Sequence, residues 1–471
     1  MSVCILYLRR TSLLSALLGF FLAMSAATSM AQSSSPTPQT VTLDEALAQA
    51  IRHSPQIKEE QFGTLIRQSQ RAQADAARFA QFDITIVGGP SPQARGNQID
   101  SPDSKSHPKL NGAFGQASFS LVQPLYTFGK IQSFRKAAAH GIAASEAMVH
   151  QKATEVALLV YEAYYGYQLA TSLEDLGLYI GEQLQSTLQK VQRQLDAEAP
   201  GVDNIDLFKL QTFDGQLAKQ MNDVRQGKEL ALTGLRTLMG LPPDTPITLA
   251  DTELRPDKRR ADALEAYVRD AHQLRPEFTQ AREGVQAFAA LVNAAKADYY
   301  PVFFLGVFGS LAEASNRDRV NNPFIFDSIH DDVVVPVIGL RWHYDLGLTT
   351  GKVREAQARL GQVQQKHALA EMGIPFQVRQ AHLELVQHEN NIEATRKGFR
   401  SSRKWLVAAL SNFDFGVGEG KDVADAVLAY ATLRAGYFQA VYNYNLALVK
   451  LDHAAGRDVA LVQPLLPDAA R

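Results

Sequence analysis

Several things are scarce in this sequence, and each scarcity excludes a class. The 471 residues hold a single cysteine, Cys4, close to the N-terminus. A chain read without Cys4 has no disulfide framework and no thiolate metal ligand. After Ala31 no run of eighteen apolar residues occurs, so no transmembrane helix is expected there. Any membrane crossing must then use strands closed into a barrel. Charge of one sign is also missing: 47 Lys+Arg stand against 49 Asp+Glu, which argues against a broad nucleic-acid surface. Catalytic signatures are absent too, with no HExxH and no GxSxG. The segment Gly347 to Val353 is one residue short of a phosphate loop, and Val353 replaces its Ser or Thr. His382 and His388 are spaced wrongly for a metal pair on one helix face. We therefore expect neither an enzyme nor a bound metal or cofactor.

What is present begins with an export signal, expected at residues 1–31. Arg9 and Arg10 flank the short apolar run Leu13 to Ala23, and Ser29-Met30-Ala31 offers small residues before Gln32. No cysteine stands at that junction, so no lipid anchor is expected. The rest divides into two copies of one pattern. Ala50, Pro55, Phe82 and Gly88 align without a gap on Ala271, Pro276, Phe303 and Gly309. Asp206, Leu217, Leu235 and Gly240 align on Asp422, Leu433, Leu451 and Gly456. Between these, Gly129-Lys130-Ile131 matches Gly351-Lys352-Val353. Each copy reads helix, strand, loop, strand, long helix, turn, helix. The first repeat is placed at residues 41–249, a linker at 250–261, the second repeat at 262–456 and a C-terminal tail at 457–471.

The first long helix is expected over Thr127 to Ala197, a rod of roughly 105 Å at 1.5 Å per residue. Its heptad stripe is Val156, Leu159, Ala163, Gly166, Ala170, Leu173, Gly177, Ile180, Leu184, Thr187 and Val191. The second, Gly351 to Asn412, contains Pro375, where a kink or break is expected. Shorter helices are expected over Leu43–Phe79 and Asp422–Ala455. Four segments read as strands: Gln81–Val87, Ala113–Gln123, Val302–Leu311 and Val333–His343. In the first, Phe82, Ile84 and Ile86 alternate with Gln81, Asp83 and Thr85. Phe119 and Leu121 alternate with serines, and Phe303, Leu305 and Val307 continue the apolar face in the second copy. These apolar residues are assigned to lipid and the polar ones to a lumen. Four strands close no barrel alone, so the membrane reading requires an oligomer. A soluble strand subdomain on a helical body is the alternative.

The pattern resembles the TolC-like outer-membrane efflux proteins over nearly all of the chain after the signal. Leu43-Asp44-Glu45-Ala46-Leu47, followed by Ser54-Pro55-Gln56-Ile57, is similar to that family's opening helix. Gln123-Pro124-Leu125-Tyr126 with Gly129 resembles its strand-to-helix turn, and Leu238-Met239-Gly240-Leu241 the close of its first repeat. The resemblance implies a mostly α fold with a small transmembrane β part. Long coiled-coil-like helices would form a periplasmic α-barrel, and four strands per chain would join a shared trimeric β-barrel. It implies an outer-membrane location extending into the periplasm, contact with outer-membrane lipid, and two partners: a periplasmic adaptor and an inner-membrane transporter. The function implied is an efflux or type I secretion channel. A periplasmic coiled-coil adaptor or scaffold without a pore is the alternative.

Phe413-Asp414-Phe415-Gly416, followed by Asp422-Val423-Ala424-Asp425, resembles the family's periplasmic end. In the best-known branch two aspartates line the narrowest point, and Asp422 and Asp425 match them. Gly418 stands where that branch carries a locking arginine. The first-repeat tip reads Ala199-Pro200-Gly201-Val202. Asp422 is also a candidate helix cap.

Overall fold

The computed structural model describes residues 39–95, 109–198, 203–320, 323–324 and 327–467. The expected signal at residues 1–31, and Pro200 and Gly201, lie outside the described residues. The first copy holds β1 (Gln39–Val41), α1 (Leu43–His53), α2 (Pro55–Ala76), β2 (Gln81–Pro92), β3 (Leu110–Tyr126), α3 (Lys130–Asp196) and α4 (Asn204–Leu238). Next comes β4 (Ile247–Leu249). The second copy holds α5 (Leu264–Leu274), α6 (Pro276–Ala297), β5 (Val302–Ala314), β6 (Asp331–Arg341), α7 (Leu348–Asp414) and α8 (Gly420–Ala455). A short α9 (Val459–Val462) runs into a 3-10 turn at Gln463–Leu465. The chain is mostly helical with a small sheet, as the sequence pattern and the resemblance implied. None of the described helices is long and apolar enough to cross a membrane.

The opening helix of each copy is two helices, not the single one expected over Leu43–Phe79. Proline removes a donor and pushes the preceding residue into extended backbone. Ser54 has ψ 120° before Pro55, and Arg275 has ψ 122° before Pro276. The α1 start is fixed by a capping box: Glu45 N donates to Thr42 Oγ1 at 3.2 Å, and Thr42 N donates to Glu45 Oε2 at 2.9 Å. Each break receives the end of a later helix. Gly240 and Gly456 close α4 and α8 with φ of +70° and +74°. A Cβ at Gly456 would lie 2.8 Å from Arg275 N, and one at Gly240 3.0 Å from His53 Cβ. That close approach explains why both repeats carry glycine there.

Helix α3 is the spine. It packs on α2 and α6 toward the sheet and on α4 and α8 toward the opposite end, while α7 packs on α6 and α8. Its stripe is buried near the far tip through Gly177, Ile180, Leu184, Thr187 and Val191. Nearer the middle the stripe departs from expectation. Val156 is buried as the stripe requires, but Leu159 is exposed, and Val160, Tyr164 and Tyr167 pack with Val156 against Leu47 and Ile51 of α1 and Val41 of β1. A two-stranded parallel pair, β1 with β4, completes that cluster, matching Gln39 to Ile247 and Val41 to Leu249. A second core joins α5, α7 and α8, and a third lies at the tip. Helix α7 does not break at Pro375: it is helical from Leu348 to Asp414. The neighbouring residues Ile374 and Val378 are buried in the second core, so packing holds the helix through the proline.

Candidate functional site

Two regions carry the chemistry of the fold, the sheet and the opposite tip. The sheet is antiparallel in the order β2-β3-β5-β6. Strand side chains alternate between faces, so the register decides what shares a face. Phe82 pairs with Leu121, and Ile84 with Phe119. Leu121 pairs with Val307, and Gln123 with Leu305. Phe303 pairs with Leu340, and Leu305 with Ile338. All eight residues assigned to lipid therefore lie on one face: Phe82, Ile84, Ile86, Phe119, Leu121, Phe303, Leu305 and Val307. The register adds Val334, Ile338 and Leu340, which sequence reasoning left out. Ile86 is 77% exposed and Ile338 79%. The Phe119 ring covers Gly309 across the strand pair.

The other face of β2 and β3 carries Gln81, Asp83, Thr85, Gln116, Ser118 and Ser120, with Val87, Phe114 and Val122 toward its ends. Gln116 Nε2 donates to Ser310 Oγ at 3.1 Å along this face. On β5 and β6 the same face carries Phe304, Phe308, Val333, Val335 and Val337. One end of the sheet meets the helices in a girdle of aromatic side chains. Phe128 stacks on Tyr300 at 4.8 Å and meets Tyr126 edge-on at 4.7 Å. Trp342 packs on Tyr344, and its Nε1 donates to Tyr299 O at 3.2 Å. The outer strands β2 and β6 are each paired on one side only among the described residues.

At the turn from β6 into α7, Asp345 accepts from Thr349 Oγ1 at 2.5 Å, Thr349 N at 2.9 Å and Gly347 N at 3.0 Å. These donors, the Thr349 hydroxyl foremost, hold its carboxyl down to about 2.

At the far tip the ends of α3, α4, α7 and α8 converge on Val191, Leu210, Leu406, Phe413 and Val423. Phe413 belongs to that core, 4% exposed. The chain leaves α7 through Gly416, with φ +74°, and Val417 N and Gly418 N both donate to Asn412 O. A Cβ at Gly418 would stand 3.0 Å from Asn412 Cβ and from Phe413 N. A side chain at this position, such as the arginine that the resemblance puts there, would press on Asn412 and on the backbone at Phe413.

Asp422 does not cap α8. The cap position belongs to Glu419, and Asp422 sits exposed in the first helical turn. In the first copy the cap is Asp203, whose Oδ1 accepts from Ile205 N and Asp206 N. Asp206, the counterpart of Asp422, is buried beside Gly420. Burial pushes its carboxyl above the ordinary range. Asp425 meets Lys209, its own counterpart in the first copy, with Nζ to Oδ1 at 2.6 Å. Lys190 of α3 reaches Asp414 of α7 at 2.5 Å. Both ion pairs tie the first copy to the second, and sequence reasoning missed both.

Comparison with known proteins agrees with this geometry. Residues 267–457 match the family described as outer membrane efflux protein. Protein CyaE of Bordetella pertussis is 25% identical over 275 residues, covering 57% of this chain and 54% of that protein. The chain thus spans about half the length of the curated relative it matches. Among solved structures, the outer-membrane channel OprN superposes with a TM-score of 0.73 at 16% identity, over 88% of this chain and 89% of that one. The Campylobacter jejuni CmeC outer membrane channel gives 0.73 at 14% identity, over 91% and 90%.

Proposed function

From a chain whose second repeat matches the outer membrane efflux proteins and whose fold is TolC-like, we infer an outer-membrane channel subunit of an efflux or secretion duct. One observation carries the reading. The four strands present a continuous exposed apolar face, backed in the first copy by one that is polar along its middle, and among the described residues they end in two unpaired edges. Open edges are costly in hydrocarbon, where no water satisfies the backbone. Copies of the chain that join β6 to a neighbour's β2 remove both edges and place the polar face inside. The resemblance sets the number of copies at three. The aromatic girdle then lies at the membrane boundary on the periplasmic side. The helices continue the bore into the periplasm, and the tip with Asp422 and Asp425 forms its inner aperture.

On this reading the chain is exported after cleavage before Gln32 and carries no lipid. It works with a periplasmic adaptor and an inner-membrane transporter, which supplies the energy. The duct itself needs no cofactor. The test is purification from the membrane fraction in mild detergent. Light scattering should give a trimer, and the trimer should conduct ions in planar bilayers. A stable monodisperse monomer, or a trimer that never conducts, overturns the reading.

A further inference from the structure

The face turned to the lumen in the proposed duct is not uniform. In the first copy its middle is polar, from Gln81 to Thr85 and from Gln116 to Ser120, with Val87, Phe114 and Val122 at the ends. In the second it is an apolar strip made by Phe304, Phe308, Val333, Val335 and Val337. A water-filled bore gains nothing from apolar wall exposed to water. Phe308 remains 37% exposed and Val335 44%. The strip is also smooth. Phe304 lies over Gly339, where a Cβ would come within 2.9 Å of the ring, and Phe308 lies over Gly306, within 2.6 Å. The two glycines let the rings lie flat with their faces open.

A ring face of this kind already holds a cation here. The Arg341 guanidinium stands 5.6 Å from the centroid of Phe304, on the same face of the sheet. Asp331 borders the strip at the outer end of β6, and a neighbouring copy whose β2 joins β6 would bring its own Asp83 to the other margin.

We propose that the second-copy wall of the lumen is a binding strip for organic cations with an apolar body, such cations being among the cargo of the duct. The inference rests on the channel reading above. Aromatic faces and valines take the apolar body, and the bordering carboxylates favour positive charge. An anionic or fully polar cargo would find only the first-copy wall suited to it.

The experiment uses the full-length purified protein in planar bilayers, with tetraphenylphosphonium and tetraethylammonium added in turn on the strand side. The two carry the same charge, and only the first has aromatic bulk. Tetraphenylphosphonium should block the current at concentrations about tenfold lower than tetraethylammonium. The double variant Phe308→Ser/Val335→Thr should bring the two within about twofold while keeping the unitary conductance. The variant Ile338→Ser, on the opposite face, should keep the wild-type preference. Equal block of the wild type overturns the proposal. A preference retained in the double variant overturns it as well. In both cases the channel still conducts, so the channel reading survives. Absence of any current fails both.

Discussion

The sharpest consequence of the strand register is a graded response along β2. Phe82, Ile84 and Ile86 lie on one face, and Asp83 and Thr85 on the other. A strand rising about 3.4 Å per residue and tilted by about 40° climbs ~2.6 Å of membrane depth per residue. The aromatic girdle sets the lower boundary at Tyr126, which pairs with Phe303, whereas Phe82 pairs with Leu121 four ladder steps further along. Phe82 then lies ~10 Å inside an apolar band about 25 Å tall, so that Phe82 and Ile84 flank its midplane and Ile86, ~10 Å beyond Phe82, nears the far boundary. Arginine on the lipid face costs about 2–4 kcal/mol at the midplane and ~0–1 near the boundary. Ile84→Arg should therefore lose about 2–4 kcal/mol per copy, or roughly 6–12 kcal/mol in a three-fold assembly. Phe82→Arg should cost nearly as much, and Ile86→Arg should be milder. Thr85→Arg puts its charge in water and should assemble nearly as the wild type does. The assay is the fraction of oligomer recovered from membranes, read by light scattering and by urea titration in detergent. A flat response from Ile84 to Ile86, or equal damage from Thr85→Arg and Ile84→Arg, would refute the register.

Three further outcomes follow from the tip and the helices. Lys209→Ala should change stability by no more than ~1 kcal/mol, because the pair is partly exposed; it frees Asp425, so cation selectivity measured by reversal potential should rise, and unchanged selectivity counts against Asp425 in the bore. Gly177→Leu should lower thermal stability by about 1–3 kcal/mol, since a Cβ there would meet Met221 Sδ at 2.0 Å, whereas Gly215→Leu, with open space, should not. Asp345→Asn should loosen the start of α7. A depressed carboxyl stabilises the fold above its ordinary value near ~4, and this support is lost as pH falls through about 2. Hydrogen exchange at the Thr349 amide should thus quicken in the variant at neutral pH and in the wild type only near pH 2; equal protection in both at neutral pH would contradict it.

Much of the fold was legible because two periods, 2 and 3.5, dominate the chain. The alternation of Phe82, Ile84 and Ile86 with polar neighbours places one face before any partner strand is known. What the sequence hid depends on distant encounters. The break before Pro55 is local and readable, but its purpose is to receive Gly240, which lies nearly two hundred residues later. Pro375 looked like a breaker because its local effect is adverse; burial of Ile374 and Val378 overrides it. At the tip, the repeat alignment matched Lys209 with Asp425 as counterparts, one basic and one acidic. It could not say that the counterparts touch. That follows from the way α4 and α8 are brought together around α3.

The small β1–β4 pair has a consequence for how the chain reaches its form. It joins Gln39 to Ile247, so it shuts only when nearly the whole first copy lies between its ends. Closing so long a loop is entropically expensive, and the expense grows only slowly with further length. A polypeptide that emerges N-terminus first must therefore hold β1 idle until Leu249 has followed. From then on the first copy is clasped at its waist while the second is still arriving. The helices α6 and α8 would then be laid onto an α3 already in place. Such a molecule is sequential by construction, and its two copies, alike in pattern, fold under different conditions.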